Sequence, residues 1–233
     1  GTFVLVLGFS LFFGVSLILP LWLQNTLGYT PLWSGLAVAP LGVVPILTAY
    51  LIGRNAHRVD LRILAALSFV FLGLACMMYS RFNTQVNFGA IVLAQLVMGV
   101  GTALFFMPVL TILLSELEGQ EIAEGSGSMT FLRTVGASFA ASLVTYLWNR
   151  GGAVSHANLA EHVNPFNPIV REGIAASGSR LPVYLEQVNH VMTQQSMQIS
   201  FNHVMAGIGG LFFLLVLVVW FAQPPFIRGG TGH

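Results

Sequence analysis

The chain has 233 residues, of which 55% are hydrophobic and only 7% are charged, and its formal net charge is +1. Soluble domains carry about 25% charged residues, so a soluble protein of this size could not cover its surface with so few. The near-neutral balance also argues against the strongly basic surface of a nucleic-acid-binding protein. We therefore expect an integral membrane protein with no nucleic-acid partner.

Six apolar stretches are each long enough to cross a bilayer, which takes about 20 apolar residues in a helix. We letter them A to F: Phe3–Gln24, Pro31–Gly53, Leu61–Ser80, Phe88–Ser115, Ser126–Trp148 and Phe201–Ala222. Lipid offers no hydrogen-bond partners to the backbone, so these stretches must be helical. The sequence predicts an all-α membrane protein with helices A to E in residues 1–148, a long outer segment at 149–200, helix F at 201–222 and a tail at 223–233.

The placement of arginine indicates the orientation, since short cytoplasmic loops are enriched in basic residues. The loop between helices B and C holds Arg54, Arg58 and Arg62, and the tail holds Arg228. On the opposite side, Arg81 lies between helices C and D and Arg150 lies just after helix E, while Arg171 and Arg180 lie deep in the long outer segment and count less. We expect both termini of this segment to lie in the cytoplasm and residues 149–200 to lie outside.

Several chemistries are excluded by composition. All nine basic residues are arginine, and a chain without lysine can form neither a Walker-type phosphate loop nor a Schiff base. The sequence contains no HExxH or GxSxG motif, and its histidine spacings match no metal-ligand pattern. We expect a protein that is not an enzyme and that holds no metal or cofactor.

The segment at 149–200 is too long for a simple turn between two membrane helices, and loops of such length are usually functional. Its first part contains the turn-forming sequence NPFNP. In its second part, apolar residues recur at helical spacing after Pro182, which is a favourable first-turn residue. This pattern predicts an amphipathic helix near 182–199, which could continue into helix F.

Arg133 is the one charged residue well inside a predicted span, roughly 12 Å from the start of helix E at 1.5 Å per residue. A charge at depth costs about 2.5–3.5 kcal/mol on insertion scales, so it marks a functional site by default. No Asp or Glu lies deep in any predicted helix. Two interpretations remain open: the guanidinium binds helix-end carbonyls or reaches toward the surface, or it binds an anionic ligand.

Three further polar residues lie in or at the ends of predicted spans and are candidates for substrate binding or coupling: Gln24, Tyr50 and Gln95. Each of them alone is more often an interhelical hydrogen bond than a ligand contact. Small residues in helix E, such as Gly136 and Ala140, are spaced so that another helix could approach closely.

The loop between helices B and C reads GRNAHRVDLR from Gly53. It resembles the cytoplasmic loop signature of the major facilitator superfamily, G-x-x-x-D-R-x-G-R-[RK]. Gly53, Arg58 and Arg62 match this signature, whereas His57 stands in the place of Asp and Asp60 in the place of Gly. The resemblance implies that Gly53, Arg58, Asp60 and Arg62 belong to a loop that gates the conformations of a transporter.

Helix D contains QLVMGVGTA from Gln95, which resembles the fourth-helix pattern R-x-x-Q-G-x-G of the same superfamily. Gln95 stands in the position of the arginine, so the proton-relay role implied for that arginine does not carry over.

Longer stretches resemble a narrower group, the EmrB/FarB-type efflux transporters of the fourteen-helix drug:proton antiporter branch of that superfamily. These stretches are YTPLWSGLAVAPLG at 29–42, FFMPVLTILLS at 105–115, FLRTVGAS around Arg133, HANLAEHVNPFNP at 156–168 and WFAQPPF at 220–226. The resemblance covers nearly the whole chain and corresponds to the last six of fourteen helices. It implies a half-bundle of six helices built from two inverted three-helix repeats, A to C and D to F.

The resemblance also implies a function. It implies a proton-driven exporter of drugs or fatty acids in a bacterial inner membrane, with a periplasmic adaptor of the EmrA type and an outer-membrane channel as partners. Proton-coupling acidic residues are then expected in an N-terminal half that this sequence lacks. Because a lone buried cation favours a carboxylate, we expect anionic substrates. The alternative is a membrane scaffold whose outer segment docks the adaptor.

Overall fold

The computed structural model describes residues 2–55, 61–115, 121–161 and 181–221 of the chain. These ranges are helical almost throughout and contain no strand. The helices are α1 (Thr2–Asn25), α2 (Pro31–Val38), α3 (Pro40–Asn55), α4 (Leu61–Tyr79), α5 (Phe88–Ser115), α6 (Glu121–Ala160) and α7 (Leu181–Phe221). The prediction of an all-α fold is confirmed.

Four apolar spans within the described residues are long enough to cross a membrane: Val6–Asn25, Pro31–Thr48, Phe88–Phe106 and Val183–Val219. A shorter apolar stretch, Ile63–Tyr79, forms most of α4. Helix α6 is more polar, because Arg133 and several serine and threonine residues interrupt its apolar sequence. In chain order these elements correspond to the predicted helices A to F, and together they form the membrane half-bundle.

Predicted helix B is divided into α2 and α3 at Ala39 and Pro40. Proline has no backbone N–H and its ring collides with the preceding turn, so the helix ladder is interrupted here. Helix α2 begins with Pro31 at its first position, and the Thr30 side chain caps it by accepting a hydrogen bond from the Trp33 amide at 3.4 Å.

The helices pack in an arrangement that repeats. Helix α4 lies between α5 and α7, α6 lies between α7 and α1, and α3 packs against α5. The contact of α1 with α6 thus has its counterpart in the contact of α5 with α3, and α4 faces α7. In each half the first helix meets the middle helix of the other half, as expected for two inverted three-helix repeats.

Small residues allow the helices to approach closely at these crossings, since membrane helices associate largely by backbone packing. A Cβ added to Gly136 of α6 would collide with the Ser10 side chain of α1, and Ala137 and Ala140 beside it are buried. A Cβ added to Gly101 of α5 would lie 3.0 Å from the backbone nitrogen of Leu72 in α4. The small-residue face predicted in helix E is therefore a helix-packing face.

Helices α6 and α7 contain 40 and 41 residues and are about 60 Å long, twice the thickness of a hydrocarbon core. Helix E was predicted to end at Trp148, but α6 continues to Ala160. Helix α7 covers both the helix predicted near 182–199 and helix F without interruption. The reason is that the helix backbone satisfies its own hydrogen bonds whether lipid or water surrounds it. We call residues 149–161 and 181–195 the projection.

A buried hydrogen-bond cluster fastens α7 at the base of the projection. The Trp22 indole donates to Gln198 Oε1 at 3.0 Å, and Gln198 Nε2 donates to the Phe82 carbonyl at 2.9 Å and to Asn202 Oδ1 at 2.8 Å. The Trp22 ring also stacks on Phe201 at a centroid distance of 4.4 Å. One side chain of α7 therefore links α1 with the turn between α4 and α5.

Helix α6 is joined to α7 at the same level. The Trp148 indole donates to the Met197 carbonyl at 3.0 Å, and the Ser200 hydroxyl donates to the Trp148 carbonyl at 2.6 Å. We call this level the extended end of the bundle; α1 and α4 end there, and α2 and α5 begin there.

The close crossing of α4 and α5 predicts a stability effect at Gly101. Replacing Gly101 with Val should lower the free energy of unfolding by about 1–3 kcal/mol, because the added branches press on the Leu72 backbone. Gly207→Val in α7 is the matched control, since a Cβ there meets no atom within 4 Å. Thermal unfolding of the purified protein in detergent measures the difference, and equal midpoints for the two variants would contradict this packing.

Candidate functional site

An open cleft of about 650 Å³ lies between α1, α2, α3 and α5. Its walls are mostly apolar and include Phe12, Pro20, Gly35, Val38, Pro45 and Phe106. Only Gln24, Ser34 and Thr102 bring polar side chains to it. A cleft of this size and lining suits an apolar molecule of drug size, with a few polar groups to fix its orientation.

The sequence of helix B accounts for the cleft. Most of the lining residues between Pro31 and Pro45 are small or proline, namely Pro31, Ser34, Gly35, Ala39, Gly42 and Pro45, with Val38 and Leu41 as the larger ones. A Cβ on Gly35 or Gly42 would meet no other atom within 4 Å. The break at Pro40 lies in the middle of this wall.

Arg133 lies against the aromatic side of the bundle interior. Its guanidinium carbon is 4.1 Å from the centre of the Phe9 ring of α1 and 5.9 Å from that of Phe106 of α5. Such cation–π contacts stabilise a guanidinium by about 0.5–2 kcal/mol, with the larger values where water is excluded. Neither sequence-based interpretation of Arg133 included these rings.

Phe106 belongs both to this aromatic pair and to the cleft. Its ring centre is 6.4 Å from that of Phe9, and its side chain lines the cleft wall. The positive charge of Arg133 therefore lies at the margin of an apolar cleft, separated from it by one phenylalanine ring.

The charge of Arg133 has no carboxylate nearby among the side chains that the structure describes. The acidic residues among them are Glu161 and Glu186, both in the projection. The end of α6 at Ala160 is about 40 Å from Arg133 along the helix axis, at 1.5 Å per residue. At this distance the Glu161 carboxylate does not neutralise the guanidinium.

The other candidate binding residues have different environments. Gln24 lines the cleft, as a substrate-binding residue would. Gln95 is only 1% exposed and lies within α5. Its Oε1 atom accepts no hydrogen bond from any residue in the described ranges. Tyr50 belongs to α3, but its side chain lies outside the described part of the structure.

The predicted gating loop lies largely outside the described residues. Gly53 is in the last turn of α3 and Arg62 is in the first turn of α4, and the Arg62 side chain is not among those described. Arg58 and Asp60 fall in the undescribed interval between the two helices. Their role in gating stays a prediction.

Metal binding receives no support within the described ranges, where no group of three potential metal ligands comes together. In the projection, His156 Nε2 of α6 is hydrogen-bonded to Asn189 Oδ1 of α7 at 2.9 Å. This histidine connects the two helices of the projection.

Two sets of residues were missed by sequence reasoning. The rings of Phe9 and Phe106 could not be told apart from the other 16 of the chain's 18 phenylalanines, most of which are expected to face lipid or neighbouring helices. Trp22 and Gln198 lie far apart in the sequence, and only the fold brings them together. Nothing in the sequence of the predicted amphipathic helix indicated that Gln198 would be buried.

A helical membrane bundle with an apolar cleft and a cation at its margin is the architecture of a transporter domain. Residues 1–141 match the Major Facilitator Superfamily. The chain belongs to this superfamily, whose members are transporters and not enzymes.

Curated relatives extend the match over the whole chain. The chain is 35% identical over 240 residues to the fatty acid resistance protein FarB of Neisseria gonorrhoeae and 37% identical over 241 residues to the multidrug export protein EmrB of Escherichia coli K12. Both alignments cover 100% of this chain and 46% of the relative. The probable multidrug resistance protein EmrY of E. coli K12 is 35% identical over 223 residues, or 94% of this chain and 44% of EmrY. The resemblance to EmrB/FarB-type transporters is confirmed, and the chain spans about half the length of these relatives.

The open wall of the cleft yields a prediction about ligand binding. Replacing Gly42 or Gly35 with Leu should place a side chain in the cleft without disturbing the helices, and should weaken binding of an apolar fluorescent compound to the complete protein by roughly 10-fold. Gly210→Leu, on a part of α7 with equally open surroundings, is the control. Fluorescence titration in detergent measures the affinities, and unchanged binding in both cleft variants would show that ligands bind elsewhere.

Proposed function

We propose that this chain is part of an efflux transporter that exports hydrophobic anionic compounds such as fatty acids and weak-acid drugs. The observation that carries the proposal is the position of the Arg133 guanidinium on the aromatic margin of an apolar cleft. The names of the relatives, a multidrug export protein and a fatty acid resistance protein, support the same class of compound.

The chemistry of an amphiphilic acid fits both parts of the site. An apolar tail in the cleft gains roughly 25 cal/mol for each square ångström of surface removed from water. A carboxylate can accept two parallel hydrogen bonds from a guanidinium, and such charge-assisted pairs are strong where water is scarce. The Phe9 ring occupies one side of the guanidinium, and the planar fork of the arginine remains the group suited to a carboxylate.

We further propose that a proton gradient drives export. The chain lacks the lysine that a phosphate-binding loop requires, so ATP hydrolysis within this chain is not the source of energy. The described spans contain no acidic residue that could carry protons, and we place the coupling groups in the part of the relatives' length that this chain does not cover.

The arginine distribution supports an orientation in a bacterial inner membrane with both termini of this segment in the cytoplasm. In this orientation the projection lies in the periplasm. There it would be accessible to a periplasmic adaptor of the EmrA type, which would join the transporter to an outer-membrane channel.

Substitution of Arg133 tests the anionic preference. Arg133→Ala in the complete protein should reduce transport of a long-chain fatty acid by roughly 10- to 100-fold while sparing its uncharged methyl ester, because only the acid uses the guanidinium. Arg133→Lys should be intermediate, since an ammonium keeps the charge without the planar fork. The measurement is uptake into inside-out vesicles driven by an imposed proton gradient.

Arg150→Ala is the matched control for this experiment, because Arg150 lies on the same helix and is exposed. Equal transport of the acid by Arg133→Ala and by the unmodified protein, at equal protein levels, would contradict the proposed anion site.

A second proposed role, docking of the adaptor, is supported by the projection. Its helices carry exposed apolar side chains that water does not favour, including Val154, Val183, Leu185 and Val191. The His156–Asn189 hydrogen bond holds the two helices together, so these side chains belong to a paired and ordered surface.

This docking role predicts that Val183→Ser, Leu185→Ser and Val191→Ser combined will lower co-purification of the adaptor with the complete protein at least 5-fold, since a few apolar contacts usually dominate such an interface. A variant with Gln187→Ser and Thr193→Ser, at polar exposed positions of the same helix, serves as the control. Adaptor recovered in equal amounts with both variants would exclude this surface as the docking site.

A further inference from the structure

Among the side chains that the structure describes, that of Gln95 in α5 is buried with an amide oxygen that has no hydrogen-bond partner. Its neighbours among the buried polar groups are paired: the Thr102 hydroxyl donates to the Met98 carbonyl and the Ser68 hydroxyl donates to the Gly101 carbonyl, each at 2.8 Å. Gln95 Oε1 is buried, yet no residue of the described ranges donates to it. Buried acceptors are almost always paired, so this atom calls for a donor.

The contacts of neighbouring helices locate Gln95 along the cleft. Near the start of α5, the Phe88 ring is 5.8 Å from the Trp33 ring of α2. Further along, Gly99 of α5 lies against Val44 of α3. Helices α2–α3 and α5 therefore run side by side in the same direction, and Gln95 lies one turn before Gly99, between these two contacts.

The same register places Gln95 level with the break at Pro40, between Val38 of α2 and Gly42 of α3, which line the cleft. On α5 itself, Gln95 lies about two turns before Thr102 and on the same helix face, some 10 Å closer to the extended end. Thr102 and Phe106 form the α5 side of the cleft. Gln95 is on the face of α5 that carries this wall, although at 1% exposure it lies behind the cleft surface and is not itself a lining residue.

Helix α2 is the short and exposed part of the cleft wall that precedes this level. It is a short helix separated from α3 by the break at Pro40, and its Leu32 and Trp33 are 71% and 55% exposed. Its buried hydroxyl, on Ser34, is 3.4 Å from the Pro20 carbonyl, a long distance for a hydrogen bond between oxygen atoms. This contact joins α2 to α1, whereas the side-chain contact between α2 and α5 is the Trp33–Phe88 ring pair. We take the gap between α2 and α5 as the route by which a ligand would reach Gln95.

We infer that Gln95 is a specificity-determining residue of the cleft, whose Oε1 accepts a hydrogen bond from an O–H or N–H group of the transported compound. The inference rests on the proposed function, because it requires that the cleft carry substrate. Its role is distinct from that of Arg133: Arg133 selects a negative charge, and Gln95 selects a neutral donor elsewhere on the same molecule.

A pair of compounds that differ by one donor isolates this role. An aromatic carboxylic acid that bears a phenol, and its O-methyl ether, present nearly the same apolar surface and the same carboxylate. Only the phenol can donate to Gln95. The ether would leave the Gln95 acceptor unpaired. The phenol should therefore be transported roughly 3- to 10-fold faster than the ether at low concentration.

The experiment compares transport of the two compounds by the complete protein and by Gln95→Met, which keeps the side-chain length and removes the amide. We expect Gln95→Met to lower transport of the phenol to the level of the ether and to leave the ether unchanged. The thermal unfolding midpoint of Gln95→Met should be equal to or higher than that of the unmodified protein, since the substitution removes an unpaired buried acceptor. Gln195→Met, on the exposed surface of α7, should change neither compound.

An equal loss of both compounds in Gln95→Met, or an undiminished preference for the phenol, would overturn the inference. An equal loss would mean that Gln95 only supports the structure of the bundle. An undiminished preference would mean that another residue accepts the hydrogen bond from the phenol. Failure of the proposed function has a different signature: Gly42→Leu and Arg133→Ala would both leave transport of the two acids intact. That outcome would remove the cleft as the path and this inference with it.

Discussion

Lipid cannot hydrogen-bond to a polar group, and this constraint determines where the few polar side chains of the chain lie. Where helices must be held together, the polar groups are paired in full: Gln198 joins α1, α7 and the turn after α4, and Ser68 binds a carbonyl across the crossing of α4 and α5. Elsewhere the crossings rely on small residues, as at Gly136. A buried polar group without a hydrogen-bond partner therefore stands out among the described side chains, and it points to a partner that the bundle does not supply.

Two polar groups without such a partner lie near the same cleft, Arg133 beside Phe106 of its wall and Gln95 on the face of α5 that carries Thr102. Arg133 has aromatic rings around its charge and no carboxylate nearby among the described side chains, and Gln95 has a buried acceptor to which no described residue donates. Each carries a cost in an apolar bundle, and each becomes favourable when a ligand supplies the missing partner. An acid with an apolar body and a donor group would satisfy both, which ties the chemistry of the site to export of amphiphilic compounds.

The sequence predicted those features that depend on local composition. Apolar length located the spans, and the isolated charge singled out Arg133, which lies at the margin of the cleft. It could not predict features that depend on pairing between distant segments: the ring of Phe9 beneath Arg133, the Trp22–Gln198 hydrogen bond, or the lack of a donor for Gln95. The end of α6 was also misplaced, because hydropathy marks where lipid ends and a helix need not end there.

The central claim is that this site recognises a carboxylate together with an apolar body. The most direct measurement is the equilibrium affinity of the purified complete protein for a long-chain fatty acid and for the corresponding primary alcohol, determined by calorimetry in the same detergent. We expect the acid to bind at least 10-fold more tightly than the alcohol at neutral pH, because only the acid can pair with the Arg133 guanidinium. Equal affinities would contradict it, because they would show that burial of the tail accounts for binding and that the charge of Arg133 takes no part.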